Sequence, residues 1–263
     1  MTGLPLPAEL ADRARDVLAG RVQPVPARDA ATVVLLRPGP EVYLLRRKAT
    51  MAFAAGAYVF PGGSVDARDT DQAVAWAGPS PAAWGKIFKA DERLARGLVC
   101  AAVRETFEES GVLLAGHGPD SVVADTTGDD WEADRLALID RSLGFADFLA
   151  RRGLVLRTDL LKAWAHWITP EIEHKRFDTR FFVAVLPEGQ RTRDVGGEAD
   201  RVVWQRPADA LAGDFFLMPP TRATLAELAA YDDLDGVLAA RREIVTIMPR
   251  AVEIEGEMRL VTS

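Results

Sequence analysis

Apolar and polar positions recur along this chain with two different periods. From Ala8 to Leu18 the apolar residues fall at helical spacing with Asp and Arg between them, which predicts a short amphipathic helix. Pro24 and Pro26 then break the pattern. Ala31 to Leu36 is an apolar run, and Glu41 to Leu45 follows the Pro38-Gly39-Pro40 turn, so a hairpin is predicted there. Tyr58-Val59-Phe60 predicts a short strand stopped by Pro61-Gly62-Gly63. The stretch from Asp69 to Gly97, rich in Ala, Trp and charge and split by Pro79 and Pro81, predicts two or three short helices. Leu98 to Ser110 predicts a helix, closed by Gly111 where a left-handed residue is wanted.

Farther along, His117 to Asp130 is polar and turn-rich. Trp131 to Arg152 is helical in spacing with an interruption at Gly144. Strands are predicted over Leu160 to Ile168, Arg180 to Leu186 and Arg201 to Gln205, and a short helix over Pro207 to Ala212. Thr221 to Tyr231 and Leu234 to Arg242 predict a helical pair, and Val252 to Val261 a hairpin around Glu255-Gly256. Strands and helices are mixed rather than alternating as βα units. The expected class is therefore α+β, a sheet sandwiched by helices, with no internal repeat and no flexible linker.

Composition narrows the partners. The 263 residues are 48% apolar, enough for a large core, and carry 32 Lys and Arg against 39 Asp and Glu, a net charge of -7. That balance argues against nucleic acid as the main partner, because such proteins present a basic face to phosphates. The single Cys100 excludes an intrachain disulfide framework and a cysteine-built zinc site. No apolar run of about 18 residues predicts a membrane span, and Met1 to Ala19 lacks the apolar stretch of a secretion signal. The chain also ends without a Ser-Lys-Leu address, so a cytoplasmic location is expected.

The chemistry concentrates in Arg104-Glu105-Thr106-Phe107-Glu108-Glu109-Ser110-Gly111-Val112. On a helix, Glu105, Glu108 and Glu109 stand at i, i+3 and i+4 and project from one face. Ala101, Val103 and Phe107 are left for the core. Clustered carboxylates repel unless a cation neutralises them, and a hard divalent ion with oxygen ligands does so. A solvated acidic face with Arg104 paired to Glu108 is the plainer alternative for these residues alone.

Arg-Glu-x-x-Glu-Glu-x-Gly followed by an apolar residue resembles the second half of the Nudix hydrolase signature, and Phe60-Pro61-Gly62-Gly63 resembles its entry. Anchored at Gly63, the first acidic position of the signature falls on Asp69 instead of Glu. Asp69 and Arg104 are separated by 34 residues instead of seven, an insertion of 27, and Thr106 stands where an aliphatic residue is usual. An insertion within this box is similar to the branch that includes the peroxisomal acyl-coenzyme A diphosphatases of animals and their bacterial relatives. Trp167-Ile168-Thr169-Pro170, Arg176 to Phe182 and Pro219-Pro220-Thr221 resemble the same branch.

The resemblance implies one Nudix-type α/β/α domain over 1–263. Its core would run from about 28 to 213, with helical insertions at about 70–97 and 131–152 and a helical C-terminal extension at about 219–263. It implies hydrolysis of a diphosphate linkage with Mg²⁺ or Mn²⁺, the ion held by Glu105, Glu108, Glu109 and the carbonyl of Gly62, with Arg104 orienting the carboxylates. Coenzyme A or acyl-coenzyme A is the favoured substrate. The alternatives are ADP-ribose, NADH or a dinucleotide, or a Nudix-fold binding or regulatory protein without catalysis. A further acid after the box would act as base or ligand, with Glu198 preferred over Glu171, Glu173 and Glu188. Leu44, Arg47 and Phe-Pro-Gly-Gly match half of a coenzyme A motif. Arg47 and Arg176, with Lys48 and Lys175, are the candidates for the anionic part of the substrate. The partner expected is a small-molecule diphosphate, and a homodimer stays open. Asp66, Asp69 and Asp71 are expected to cap the first inserted helix, and Trp76, Trp84 and Cys100 to pack in the interior. His166 and His174 are too few for a zinc site.

Overall fold

The computed structural model describes residues 3–51, 54–71, 73–193 and 199–262. Its elements begin with β1 (Leu4–Pro5), α1 (Ala8–Leu18), β2 (Arg28–Arg37), β3 (Glu41–Arg47), β4 (Tyr58–Val59) and β5 (Gly62–Ser64). The region after the glycines holds α2 (Ala67–Asp71), β6 (Trp76–Ala77), α3 (Pro81–Phe88) and the long α4 (Glu92–Ser110). Next come β7 (Ala115–Gly116), α5 (Asp129–Ile139), α6 (Phe145–Arg151), β8 (Val155–Arg157), β9 (Lys162–Ile168), β10 (Phe177–Val185) and β11 (Ala199–Gln205). The chain closes with α7 (Pro207–Ala212), α8 (Pro219–Leu228), α9 (Leu234–Ala239), β12 (Thr246–Ile247), β13 (Arg250–Ile254) and β14 (Glu257–Val261).

Period-two alternation in β2 decides the layers. Val33 and Leu35 face one cluster with α3, α4 and α6, whereas Val34 and Leu36 face a second with α7, α8 and α9. The expected sheet between helical layers is therefore present. Its order is β11-β3-β2-β10-β9-β12, with β4 added on β3 and β5 on β2. β2 and β10 run parallel in the middle, and β9 returns antiparallel.

The predicted hairpin of β2 and β3 is paired only beside its turn, at Leu36–Val42 and Arg37–Glu41. Farther from the turn the two strands diverge: β5 pairs with β2 at Ala30–Thr32, and β4 pairs with β3 at Leu45 and Arg46. The glycine segment is thereby held in the split of the sheet, across from α4.

Helix α4 starts six residues before the predicted Leu98. The Asp91 carboxylate accepts from the Leu94 amide at 2.7 Å and caps the helix. Gly97 is carried inside it because the space is occupied: a Cβ there would lie 2.6 Å from Thr70 Cγ2 and 2.8 Å from Val65 Cγ1. Leu98, Val99, Val103 and Phe107 are wholly buried. Such side chains contribute about 1.5–3 kcal/mol of transfer free energy each. Trp84 packs on Phe88 and Phe182 as a core residue.

The stretch 219–263 is not helical throughout. After α8 and α9, β12 joins the main sheet beside β9, and the predicted terminal hairpin (β13 and β14) forms a second sheet with β1. Helix α1 covers that sheet, its Ala11 and Ala14 sharing a buried cluster with Met258 of β14. A third small sheet, β6-β8-β7, ties the insertion to the segment after α6.

Candidate active site

The acidic residues of α4 share a face because helical geometry puts them there, and the helix ends where the sequence predicts. Gly111 adopts φ 75° and its amide donates to the Phe107 carbonyl at 2.9 Å. Thr106, polar where an aliphatic residue is usual, is fully buried and donates to the Ala102 carbonyl at 2.7 Å, so its hydroxyl is satisfied inside the helix. The split of the sheet brings the glycine segment onto the acidic face. The Gly62 amide donates to Glu109 Oε2 at 2.8 Å. A Cβ on Gly63 would lie 2.4 Å from Glu105 Oε1, so only glycine leaves room for that carboxylate.

Arg104 is the hub of the cluster. Its Nη1 reaches Glu105 Oε1 at 2.7 Å and Glu108 Oε1 at 3.2 Å, and its Nη2 reaches Asp69 Oδ2 at 3.0 Å and the Ser64 carbonyl at 3.1 Å. Asp69 is 2% exposed at its side chain and also accepts from the Asp66 amide at 3.0 Å, so it closes the start of α2 while gripping Arg104. Burial raises the Asp69 pKa, opposed by Arg104. Burial also works to lower the Arg104 pKa, but Glu105, Asp69 and Glu108 outweigh it and raise it. The Glu108 carboxyl is pushed up to about 7 by burial, with the charge of Glu105 adding and Arg104 opposing. Cys100, in the first half of the same helix, is fully buried and its thiol is pushed up to about 12, chiefly by desolvation. It is a packing residue.

Asp69, Arg104 and the three glutamates line a cleft of about 1240 Å³. Gly62, Glu105, Glu108, Glu109 and Arg47 all face it, as does Lys175, whose Nζ lies 5.3 Å from the Phe177 ring centre. Arg176 does not join them. It is 9% exposed, and its guanidinium donates to the carbonyls of Val25 at 2.8 Å and Thr169 at 3.0 Å, fastening two connections ahead of β2 and β10. Lys48 is exposed and outside the cleft lining. Glu198 lies outside the described residues, and Glu171, Glu173 and Glu188 are not cleft-lining. His166 bonds Asp178 at 2.5 Å and Thr246 at 2.8 Å, joining β9, β10 and β12.

Arg135 is a cleft residue that its sequence context does not mark. Arg135 of α5 is 1% exposed and donates to the Glu108 carbonyl at 2.6 Å, stabilising the end of α4 where carbonyls lack helical partners. It also pairs with Glu132 at 2.6 Å, and Glu132 pairs with Arg193 at 3.1 Å. The i, i+3 spacing of Glu132 and Arg135 is visible in the sequence, but the burial of Arg135 against α4 is not.

Among the described residues, no three carboxylates converge as a ready-made metal cage. The donor set nonetheless fits a hard divalent cation. Asp69, Glu105, Glu108 and Glu109 are all oxygen donors facing one cleft, and Arg104 bonds Asp69, Glu105 and Glu108 together.

A family model described as the NUDT19 Nudix domain matches residues 92–226, more than half of the chain. The chain belongs to this Nudix family. The match opens at the first residue of α4, so the Nudix helix lies inside it and the glycine segment before it. This Nudix hydrolase is 29% identical to a NUDIX hydrolase from Alicyclobacillus acidocaldarius of known crystal structure. The superposition has a TM-score of 0.71 and covers 83% of this chain and 98% of that one. It is 25% identical to an acyl-coenzyme A diphosphatase NUDT19 of Xenopus laevis over 73% of its length, and 27% identical to the Homo sapiens protein of the same name over 75%. The chain spans 60% and 64% of the lengths of those two relatives. Among the described residues, no helix is long and apolar enough to cross a membrane.

Proposed function

We propose that this Nudix hydrolase cleaves the diphosphate linkage of coenzyme A or its acyl thioesters. The observation that carries the reading is the facing of Glu105, Glu108 and Glu109, organised by Arg104, onto a cleft that also holds Arg47 and Lys175. The names of the Xenopus and human relatives support the substrate class.

In this reading Glu105, Glu108 and Glu109, with the Gly62 carbonyl, hold Mg²⁺ or Mn²⁺. When bound, such an ion neutralises charge on phosphoryl oxygens and acidifies a water. The chain supplies the order around it. Arg104 keeps Glu105 and Glu108 from swinging apart, the Gly62 amide fixes Glu109, and Arg135 holds the backbone at Glu108. Arg47 and Lys175 attract the anionic part of the substrate, and Glu198 is the candidate base. The site is expected in a cytoplasmic protein acting on a small molecule.

The test is a metal-supplemented panel of coenzyme A, acyl-coenzyme A, ADP-ribose, NADH and a dinucleotide, with products read by mass. Release of a phosphopantetheine-type product supports the proposal. AMP from ADP-ribose as the main activity replaces it with the nucleotide-sugar reading, and no turnover of any diphosphate returns the chain to a binding role.

A further inference from the structure

Glu108 and Glu109 stand on the last turn of α4, a poor place in a helix to hold an ion. Carbonyls there lack helical partners, helix ends fray, and the helix dipole opposes negative charge. That turn has no basic residue of its own. Its partners come from elsewhere in the chain. The Arg135 guanidinium donates to the Glu108 carbonyl at 2.6 Å, the Arg193 amide to the Ser110 carbonyl at 2.9 Å, and the Thr126 hydroxyl to the Gly111 carbonyl at 2.6 Å.

Glu132 joins two of these. Its Oε1 accepts from Arg135 Nη2 at 2.6 Å and its Oε2 from Arg135 Nε at 2.9 Å, a paired contact that fixes the plane of the guanidinium. Oε2 also pairs with Arg193 Nη1 at 3.1 Å. Arg193 in turn lies on the helix end, where a Cβ on Gly111 would stand 2.7 Å from its Nε. The bond from Arg135 holds the Glu132 carboxyl below the usual carboxylate range, so it stays charged. Glu132 is outside the cleft lining, and Arg135 reaches Glu108 through the backbone.

We propose that Glu132 and Arg135 are positioning residues that set the divalent-ion affinity of the α4 face from α5. Glu132 orients Arg135, Arg135 fixes the backbone at Glu108, and the last turn then presents Glu108 and Glu109 in one place. Neither residue is assigned contact with the ion. The inference rests on the metal-dependent reading above, and adds that α5, in the 131–152 insertion, is part of what makes the ion site. Charge alone predicts the opposite sign for Arg135. A guanidinium lining the same cleft repels a cation, so its removal would tighten ion binding, whereas loss of a positioning residue loosens it.

The experiment is calorimetry of Mn²⁺ on the metal-free full chain, with urea unfolding as the check on folding. Arg135→Met is expected to weaken Mn²⁺ binding about tenfold or more, the scale on which groups that orient a metal's ligands act. Glu132→Asp keeps every charge but falls one methylene short of Arg135, and should weaken binding about threefold or more. At saturating Mn²⁺ the KM for coenzyme A should stay within about twofold of wild type in both variants, since neither residue is assigned to the substrate. Mn²⁺ affinity unchanged or tightened in folded Arg135→Met, or unchanged in Glu132→Asp, overturns the proposal. A purely structural role would give that result, with a lowered unfolding midpoint alone. A raised KM with unmoved Mn²⁺ affinity would make Arg135 a substrate contact and overturn it as well. If Arg135→Met does not fold, Glu132→Asp decides. Wild type that binds Mn²⁺ yet hydrolyses no diphosphate ends the diphosphatase reading, and the same calorimetry still judges the two residues. Wild type that binds no Mn²⁺ overturns their role whatever its activity.

Discussion

Asp69 and Arg104 stand 35 positions apart and meet at 3.0 Å, with the Asp69 carboxylate 2% exposed. The chain between them is folded back so that α2 holds Asp69 against the second half of α4. The pair explains how the acidic face tolerates its own repulsion: Asp69 holds Arg104 from one side while Arg104 holds Glu105 and Glu108 from the other.

Asp69→Ala should therefore act at a distance. Arg104 keeps Glu105 and Glu108, so the loss is that of charge-assisted hydrogen bonds rather than of an isolated buried ion, about 2 kcal/mol. Urea unfolding should show that drop, and turnover should fall because Arg104 is free to shift the two glutamates. Unchanged unfolding would show that Arg104 is positioned by Glu105, Glu108 and Ser64 alone.

Glu109→Gln separates chemistry from folding. The Gln amide oxygen still accepts from the Gly62 amide, so the loop stays in place and the unfolding midpoint should move little. The charge is lost, and metal-dependent turnover should fall on the order of 10²-fold. Near-normal turnover in this variant would remove Glu109 from the proposed metal site.

The elevated Glu108 pKa predicts a pH dependence with a definite sign. Its carboxyl, pushed up to about 7 from the ordinary 4.5 by burial and by Glu105, holds a proton at mildly acid pH in the metal-free protein. A divalent cation binding there must displace that proton, so affinity rises as pH climbs through about 7 and then levels. Stability of the metal-free protein runs the other way: the contribution is fully present below about 4.5 and is lost as pH rises through about 7. Calorimetry with Mn²⁺ in two buffers of different ionisation enthalpy should show proton release at about pH 6 that fades by about pH 8.5. Equal release at both would contradict the assignment.

The carboxylate helix was legible in the sequence because spacing on a helix is fixed: Glu105, Glu108 and Glu109 share a face wherever the helix sits. The apolar run Ala31 to Leu36 was likewise legible as a strand, but a strand buried on both faces carries no alternation to say which residues meet which layer. What escaped depends on the path of the chain in space. Lys175 faces the cleft while Arg176, one residue on, turns to the carbonyls of Val25 and Thr169, and charge alone does not distinguish them. Arg135 looks like any helical arginine until α5 is laid on the end of α4. The pairing of Leu4 with Leu260 joins the two ends of the chain, and no local pattern in two residues, one of them proline, announces it.

Gly97→Ala sets helix propensity against packing. In an exposed helix interior the change gains about 1 kcal/mol. In α4 the new methyl would stand 2.6 Å from Thr70 Cγ2 and 2.8 Å from Val65 Cγ1, both on the segment that carries Asp69. Overpacking of that kind costs about 1–3 kcal/mol, so the variant should be less stable than wild type. It should also lose turnover, because relief of the clash moves α2 and with it the grip of Asp69 on Arg104. Adding Val65→Ala removes one of the two close contacts and should recover part of the stability. Stabilisation by Gly97→Ala alone, measured by urea unfolding, would mean that α2 yields freely and that Asp69 reaches Arg104 without the close packing of the two helices.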